Sequence, residues 1–249
     1  KSAEGTISGI AKVGGLFVPD SFPNLYETLK KDKGLSYEEL AFKIIKEFFT
    51  DIDENELREA IDEAYNNRFK PELNKNYLEL YHGPTCAFKD AALLFLPQIM
   101  KRAKKSLGVN EEIVILTATS GDTGKAALEG FSSVDGFKVV VYYPKNGVSA
   151  IQERQMATQE GENVKVFGIN GNFDNAQTGV KKIFGDEKLK EELKKNGYIL
   201  SSANSINIGR LVPQIVYYFY GYFKLIEQGK IKEDEEINVV VPTGNFGNI

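Results

Sequence analysis

The 249-residue sequence predicts an α/β fold, a parallel sheet with flanking helices. Two observations carry that reading. Short apolar, β-branched runs at 77–81, 113–117, 139–143, 164–169 and 237–241 alternate with longer stretches of helical periodicity. The runs are nearly continuous in apolar character, as expected of strands covered on both faces. In addition, glycine-bearing turns follow two of them directly, at 117–125 and 242–248. Parallel sheets place their ligands at such strand ends.

The elements follow in chain order. Residues 1–33 read as loop-rich, punctuated by Gly14, Gly15, Pro19 and Pro23, with Gly34 just beyond. Ser36 and Glu39 form a capping box that opens a helix to about Phe49, with Leu40, Ile44 and Phe48 on its apolar face. A second helix spans 54–66. Further helices are expected at 88–106, 123–133, 149–160, 173–184, 186–196 and 206–228, the first of them kinked at Pro97. The three strand-helix units between 114 and 169 are close enough to form a sheet of their own. Tyr217, Tyr218, Phe219, Tyr220, Tyr222 and Phe223 surround the last helix, which marks a buried core element or domain interface.

Composition narrows the class. Hydrophobic residues make up 42% and charged residues 27%, the balance of a soluble globular protein. A net charge of -4 without a basic block argues against nucleic acid as a partner. No stretch is long enough to span a membrane, and no signal peptide opens the chain. One cysteine and one histidine are too few for a zinc site, so no metal is expected. The lone Cys86 fits a reducing, cytoplasmic setting. The chain begins without Met and stops after a glycine-rich turn, so a fragment of a longer polypeptide is expected.

Lys89 is the strongest candidate for chemistry. It follows the Gly83-Pro84 turn at the mouth of a helix, among Ala87, Phe88 and Ala91. Such a setting desolvates the amine, which disfavours its charge and frees the lone pair for attack on a carbonyl. Pyridoxal phosphate (PLP) is the commonest aldehyde held this way. A solvated first-turn lysine is the alternative on spacing alone. The two glycine turns can cradle anions with backbone N–H groups, or can be purely structural. Neither matches a P-loop or the dinucleotide fingerprint. One buried amine and two anion cradles suit PLP with an amino-acid substrate better than a nucleotide.

Four motifs resemble the threonine synthase family: 82–90 (His-Gly-Pro-Thr-Cys-Ala-Phe-Lys-Asp), 117–124 (Thr-Ala-Thr-Ser-Gly-Asp-Thr-Gly), 202–210 (Ser-Ala-Asn-Ser-Ile-Asn-Ile-Gly-Arg) and 242–248 (Pro-Thr-Gly-Asn-Phe-Gly-Asn). The leading Gly14-Gly15-Leu16-Phe17-Val18-Pro19 is similar too. The resemblance implies the tryptophan-synthase-like PLP enzyme fold (fold type II), with its larger domain incomplete here. Residues 1–75 form a mainly helical leading segment, 76–110 and 206–249 part of the large PLP-binding domain, and 111–205 a small α/β domain.

The resemblance also implies Lys89 as the cofactor lysine and Gly244, Asn245, Phe246, Gly247 and Asn248 around the cofactor phosphate. Asp122 would lie near the cofactor 3′-oxygen, and Ser120, Gly121, Thr123 and Gly124 would receive the substrate carboxylate. The implied reaction converts O-phospho-L-homoserine and water to L-threonine and phosphate. Arg210, Ser205, Asn207 and Thr85 are candidates for the substrate phosphate. Ser205 and Asn207 equally suit an N-cap of the 206–228 helix, and Arg210 a surface ion pair. His82 is expected to orient its turn, and Cys86 to pack as a small residue. An incomplete large domain would expose apolar sheet surface, so the chain by itself is expected either to pair with a second copy or to bind PLP poorly. Another lyase of the same fold, such as a threonine dehydratase or a cysteine synthase, and a non-catalytic relative are the rival readings.

Overall fold

A computed structural model of the chain describes residues 1–11, 15–32, 34–244 and 246–249. Gly14 and Asn245 lie outside the described residues. The N-terminal part contains α1 (Ser2–Ser8), α2 (Leu25–Leu29), α3 (Tyr37–Ile45) and α4 (Glu54–Tyr65). The capping box of α3 is present, with Ser36 and Glu39 exchanging bonds. Helices α1 and α2 correct the loop reading of 1–33. The first turn of α1 has no local side-chain cap; Asp51 instead accepts the Ser2 and Ala3 amides, both at 3.2 Å. A cap supplied from 48 residues away leaves no local pattern in the sequence.

The next strands, β1 (Glu72–Asn74) and β2 (Tyr77–Glu79), form an antiparallel hairpin. The 77–81 run therefore does not join the parallel sheet. Its two-residue turn, with Lys75 at a φ of 54°, folds it back on the preceding residues instead. After the hairpin come α5 (Asp90–Leu93) and α6 (Phe95–Leu107), which divide the single helix expected there. The break falls at Leu94 and not at Pro97. Pro97 has no N–H to give to the carbonyl of Leu93, so the disturbance appears one turn earlier. Helix α7 (Asp122–Phe131) passes this junction through Gly130, where a Cβ would sit 2.0 Å from the Leu93 oxygen.

The central sheet is built from β3 (Glu112–Ala118), β4 (Phe137–Pro144), β5 (Val164–Ile169) and β6 (Tyr198–Ser201). All pairs are parallel, in the order β5-β4-β3-β6. Helices α8 (Ala150–Ala157), α9 (Phe173–Gly185) and α10 (Glu187–Lys195) connect the later strands. Ile113, Ile115, Val139 and Val141 share one core with Ala127, Leu128 and Phe131 of α7. Alternate residues Leu116 and Ala118 pack with Ala176 and Val180 of α9. Both faces are thus covered, which is why the strand runs lack polar alternation. Strand β6 was not expected: its four residues run straight into the polar 201–205 segment, which hides it.

The chain closes with α11 (Ile208–Leu211) and α12 (Pro213–Glu227), split where Pro213 sits at the first helical position. The 237–241 run forms no ladder among the described residues, correcting its reading as a strand. A strand needs neighbours for its N–H and C=O groups, and here Val239 and Val240 are exposed.

Candidate active site

The loop before α5 is fixed by a buried carboxylate. Asp90 accepts the Thr85 amide at 2.9 Å and the Thr85 hydroxyl at 2.5 Å. The carboxylate also fills the space where Gly83 would carry a side chain, with Oδ2 2.5 Å from an added Cβ. Burial pushes the Asp90 carboxyl above its usual range, and the two bonds from Thr85 pull the other way. On the far side, the buried Tyr65 hydroxyl of α4 donates to the Ala91 carbonyl at 2.6 Å. Between these anchors the chain presents Lys89, its side chain only 18% exposed and its Nζ 4.5 Å from the Phe88 ring centre.

The amine is poised rather than neutralised. Burial lowers the Lys89 pKa, the nearby Asp122 opposes that, and the Arg210 charge adds to the lowering. Asp122 Oδ2 lies 3.4 Å from Nζ, long for an ion pair. The other oxygen, Oδ1, accepts from Gln152 Nε2 at 2.7 Å. Asp122 begins α7 at the C-terminal end of β3, and Gln152 belongs to α8 after β4, so neighbouring strands deliver the pair.

The 120–124 turn is organised by the Thr119 hydroxyl, which accepts the Gly121 amide at 3.0 Å and the Gly124 amide at 2.9 Å. The amides of Asp122 and Thr123, at the start of α7, remain to meet an anion. Gly121 has a φ of 150°, and a Cβ there would lie 2.4 Å from Gln152 Nε2.

Across the cleft, residues 243–244 and 246–248 fold over the α11–α12 junction. Gln214 Nε2 donates to the Arg210 carbonyl at 3.1 Å and to the Gly247 carbonyl at 2.6 Å. The Tyr217 and Tyr218 hydroxyls both donate to the Asn248 carbonyl. Part of the aromatic run thus anchors this loop and is not core alone. Thr243 donates to Asn248 Oδ1 at 2.6 Å. Gly247 lies directly on Ser205, whose Oγ would be 2.5 Å from an added Cβ.

Arg210 completes the site. It is 4% exposed, and its one side-chain bond runs from Nη1 to the Ala203 carbonyl at 2.6 Å. Its Nε is buried without a partner. Burial pushes its pKa down to about 10. A buried guanidinium with an orphan N–H and no ion pair among the described residues is matched to an anion from outside the chain.

Lys89, Ser120, Thr123, Ser205, Arg210, Gly244, Gly247 and Asn248 converge on one cleft of about 400 Å³. Asp122 reaches it through Lys89. Two expected phosphate ligands do not face it. The Thr85 hydroxyl is spent on Asp90, and Asn207 is wholly buried. Asn207 caps α11 and donates to the Thr6 and Ser202 carbonyls. Gly121 and Gly124 shape the turn from behind, and Phe246 is 68% exposed, outside the cleft lining. Cys86 is exposed, with a φ of 55° that turns it away from the packing expected of it. His82 bonds Glu79 at 2.8 Å and so steadies the hairpin exit. Glu72, Glu79 and His82 bring ligand atoms within 4.8 Å of one another, a juxtaposition created by the hairpin. The sequence assigned no site role to Gln152 or Gln214, and placed Phe88 only as a neighbour of Lys89 and Thr243 only within the 242–248 motif. Gln214 carried a signal, a polar residue in an otherwise apolar helix.

A parallel α/β sheet with a desolvated lysine at one element end and a glycine loop facing it defines the class: the fold is that of the tryptophan-synthase-like PLP enzymes, fold type II. The comparisons with known proteins agree. Residues 1–65 match the family described as threonine synthase N terminus. The chain is 39% identical to a threonine synthase of Eremothecium gossypii, over 99% of this chain and 51% of that protein. It is 41% identical to threonine synthase-like 1 of Pongo abelii, over 99% of this chain and 35% of that protein. A crystal structure of PLP-bound threonine synthase from Brucella melitensis superimposes with a TM-score of 0.84 at 35% identity, covering 99% of this chain and 53% of that one. Over nearly its whole length the chain is similar to threonine synthases. It spans about half the length of the curated threonine synthases it matches. Among the described residues, no helix is long and apolar enough to cross a membrane.

Proposed function

We propose that the chain carries part of the active site of a PLP-dependent threonine synthase, which converts O-phospho-L-homoserine and water to L-threonine and phosphate. The observation that carries this is the unpaired, buried Arg210 facing the same cleft as the desolvated Lys89. An amine suited to a carbonyl and a guanidinium lacking an anion fit a phosphorylated amino acid.

PLP, when bound, supplies an electron sink for charge developing on the substrate carbons. The residues here fit it, because Gly244 opens on free space in the cleft while Gly247 is closed against Ser205. Lys89 would hold the cofactor aldehyde, and its amine would move protons at the substrate Cα and Cβ. Gly244, Gly247 and Asn248 receive the cofactor phosphate, with Gln214 and the two tyrosines fixing the loop. Asp122 would stand beside the cofactor 3′-oxygen. The Asp122 and Thr123 amides hold the substrate carboxylate at the helix start. Arg210 and Ser205 hold its phosphate, and Phe88 shields the amine from water. The exposed Cys86 thiol fits a reducing, cytoplasmic setting.

Two measurements bear on this reading. The full-length protein that contains this chain, loaded with PLP, is expected to release phosphate from O-phospho-L-homoserine and to form threonine in equal amount. Phosphate without threonine would leave elimination but remove the hydration step, and neither product would reject the assignment. Gly247→Ala is expected to weaken PLP binding by at least about tenfold with little change in thermal stability, because the loop must lift from Ser205 to admit the methyl. Unchanged affinity in a fluorescence titration would remove the loop from the phosphate site.

A further inference from the structure

We infer that Gln152 is a positioning residue, which pins the Asp122 carboxylate by one oxygen so that the other stands off the Lys89 amine. The inference rests on the reading of Lys89 as the cofactor lysine and goes beyond it.

Gln152 has two jobs, and its amide is oriented by both. Its Oε1 accepts the Ser149 amide at 3.2 Å, closing the capping box of α8. That leaves Nε2 as the donor, and it reaches Asp122 Oδ1 at 2.7 Å. An inverted amide would lose both bonds. The amide also lies against Gly121, where any side chain would collide with it. The slot is thus built from three sides: the cap of α8, the bare backbone of Gly121 and the acid at the start of α7.

The consequence falls on Lys89. The charged groups acting on its amine are Asp122 from α7 and Arg210 from α11. Arg210 is fixed in the core by its bond to Ala203. Asp122 is half-exposed, and rotation of its side chain would bring the carboxylate into a tight pair with the amine. The Gln152 bond opposes that rotation and keeps the separation at 3.4 Å. A tight pair would hold the amine protonated and blunt its attack on an aldehyde. Gln152 therefore sets how much free amine the site offers at neutral pH.

Two substitutions separate this role from capping. Gln152→Glu keeps the cap, because glutamate accepts the Ser149 amide equally well, but it cannot donate to Asp122. The two carboxylates must then share a proton, which adds an ionisation step to the behaviour of Lys89. Gln152→Met removes the donor without adding charge. The readout is competitive acetylation of Lys89 by acetic anhydride in PLP-free protein, followed by mass spectrometry across pH. Labelling is normalised to the exposed Lys194 and Lys195. In Gln152→Met, Lys89 labelling at neutral pH is expected to fall about tenfold, one pKa unit upward. In Gln152→Glu the profile is expected to gain a second inflection. Lys89 profiles superposable on the parent in a folded variant, or shifted toward faster labelling in Gln152→Met, would overturn the inference. Because this readout needs no cofactor, it stands even if phosphate release from O-phospho-L-homoserine is not found.

Discussion

Lys89→Ala is expected to abolish the covalent PLP adduct and to reduce threonine formation by more than about 10³-fold, within the range set by losing a positioned acid–base group. Asp90, Thr85 and Gly83 lock the turn, and Tyr65 holds Ala91, so the lysine's backbone is fixed from both sides. Its side chain stays largely out of water against Phe88. Among the described residues, no other lysine lines the cleft. Removing the side chain leaves the Asp90 anchor intact, so thermal stability should change little, and loss of a desolvated charge can even raise it. The PLP absorbance spectrum and the melting temperature together check this. A variant that keeps the covalent band would move the chemistry to another residue.

The second large effect is expected at Arg210, where binding and stability should move in opposite directions. Arg210→Met should weaken binding of O-phospho-L-homoserine by about 10²-fold or more, since charge-assisted bonds are worth about 1.5–3 kcal/mol each. The same substitution should raise the melting temperature. Burial pushes the guanidinium pKa down to about 10, well below its ordinary value, a cost of order 3 kcal/mol to the charged form. The sign follows from linkage. Below about pH 10 the group is charged in both the folded and unfolded chain, so its full cost is present at neutral pH. That cost is relieved only as the pH rises above about 10 toward the ordinary guanidinium value, where the folded chain gives up the proton first. Met also removes the orphan Nε donor while keeping an unbranched stem. Calorimetry without ligand and a substrate titration test both halves. A destabilised variant with unchanged affinity would make Arg210 a structural residue.

The parts of the fold that are local were legible in the sequence. The capping box at Ser36 and the three central strand-helix units need only neighbouring residues, and those elements formed where the pattern put them. Elements held by distant partners were not. Helix α1 takes its cap from Asp51, and β6 exists because β3 offers an open edge. The site divides along the same line. Lys89 and the glycine turns announce themselves by type and spacing. Which hydroxyl or amide points into the cleft depends on what else competes for it. Thr85 is claimed by Asp90 and Asn207 by the α11 cap, both satisfied from within the chain. Gln152 was readable as half of the Ser149 cap, but its bond to Asp122 joins two strand ends that only the sheet register brings together.

Borohydride reduction of the PLP-loaded protein, followed by peptide mapping, tests the central claim most directly. The account predicts one pyridoxyl group per chain, carried by the peptide containing Lys89. A pyridoxyl group on another lysine, or bound PLP that cannot be trapped at all, would contradict it.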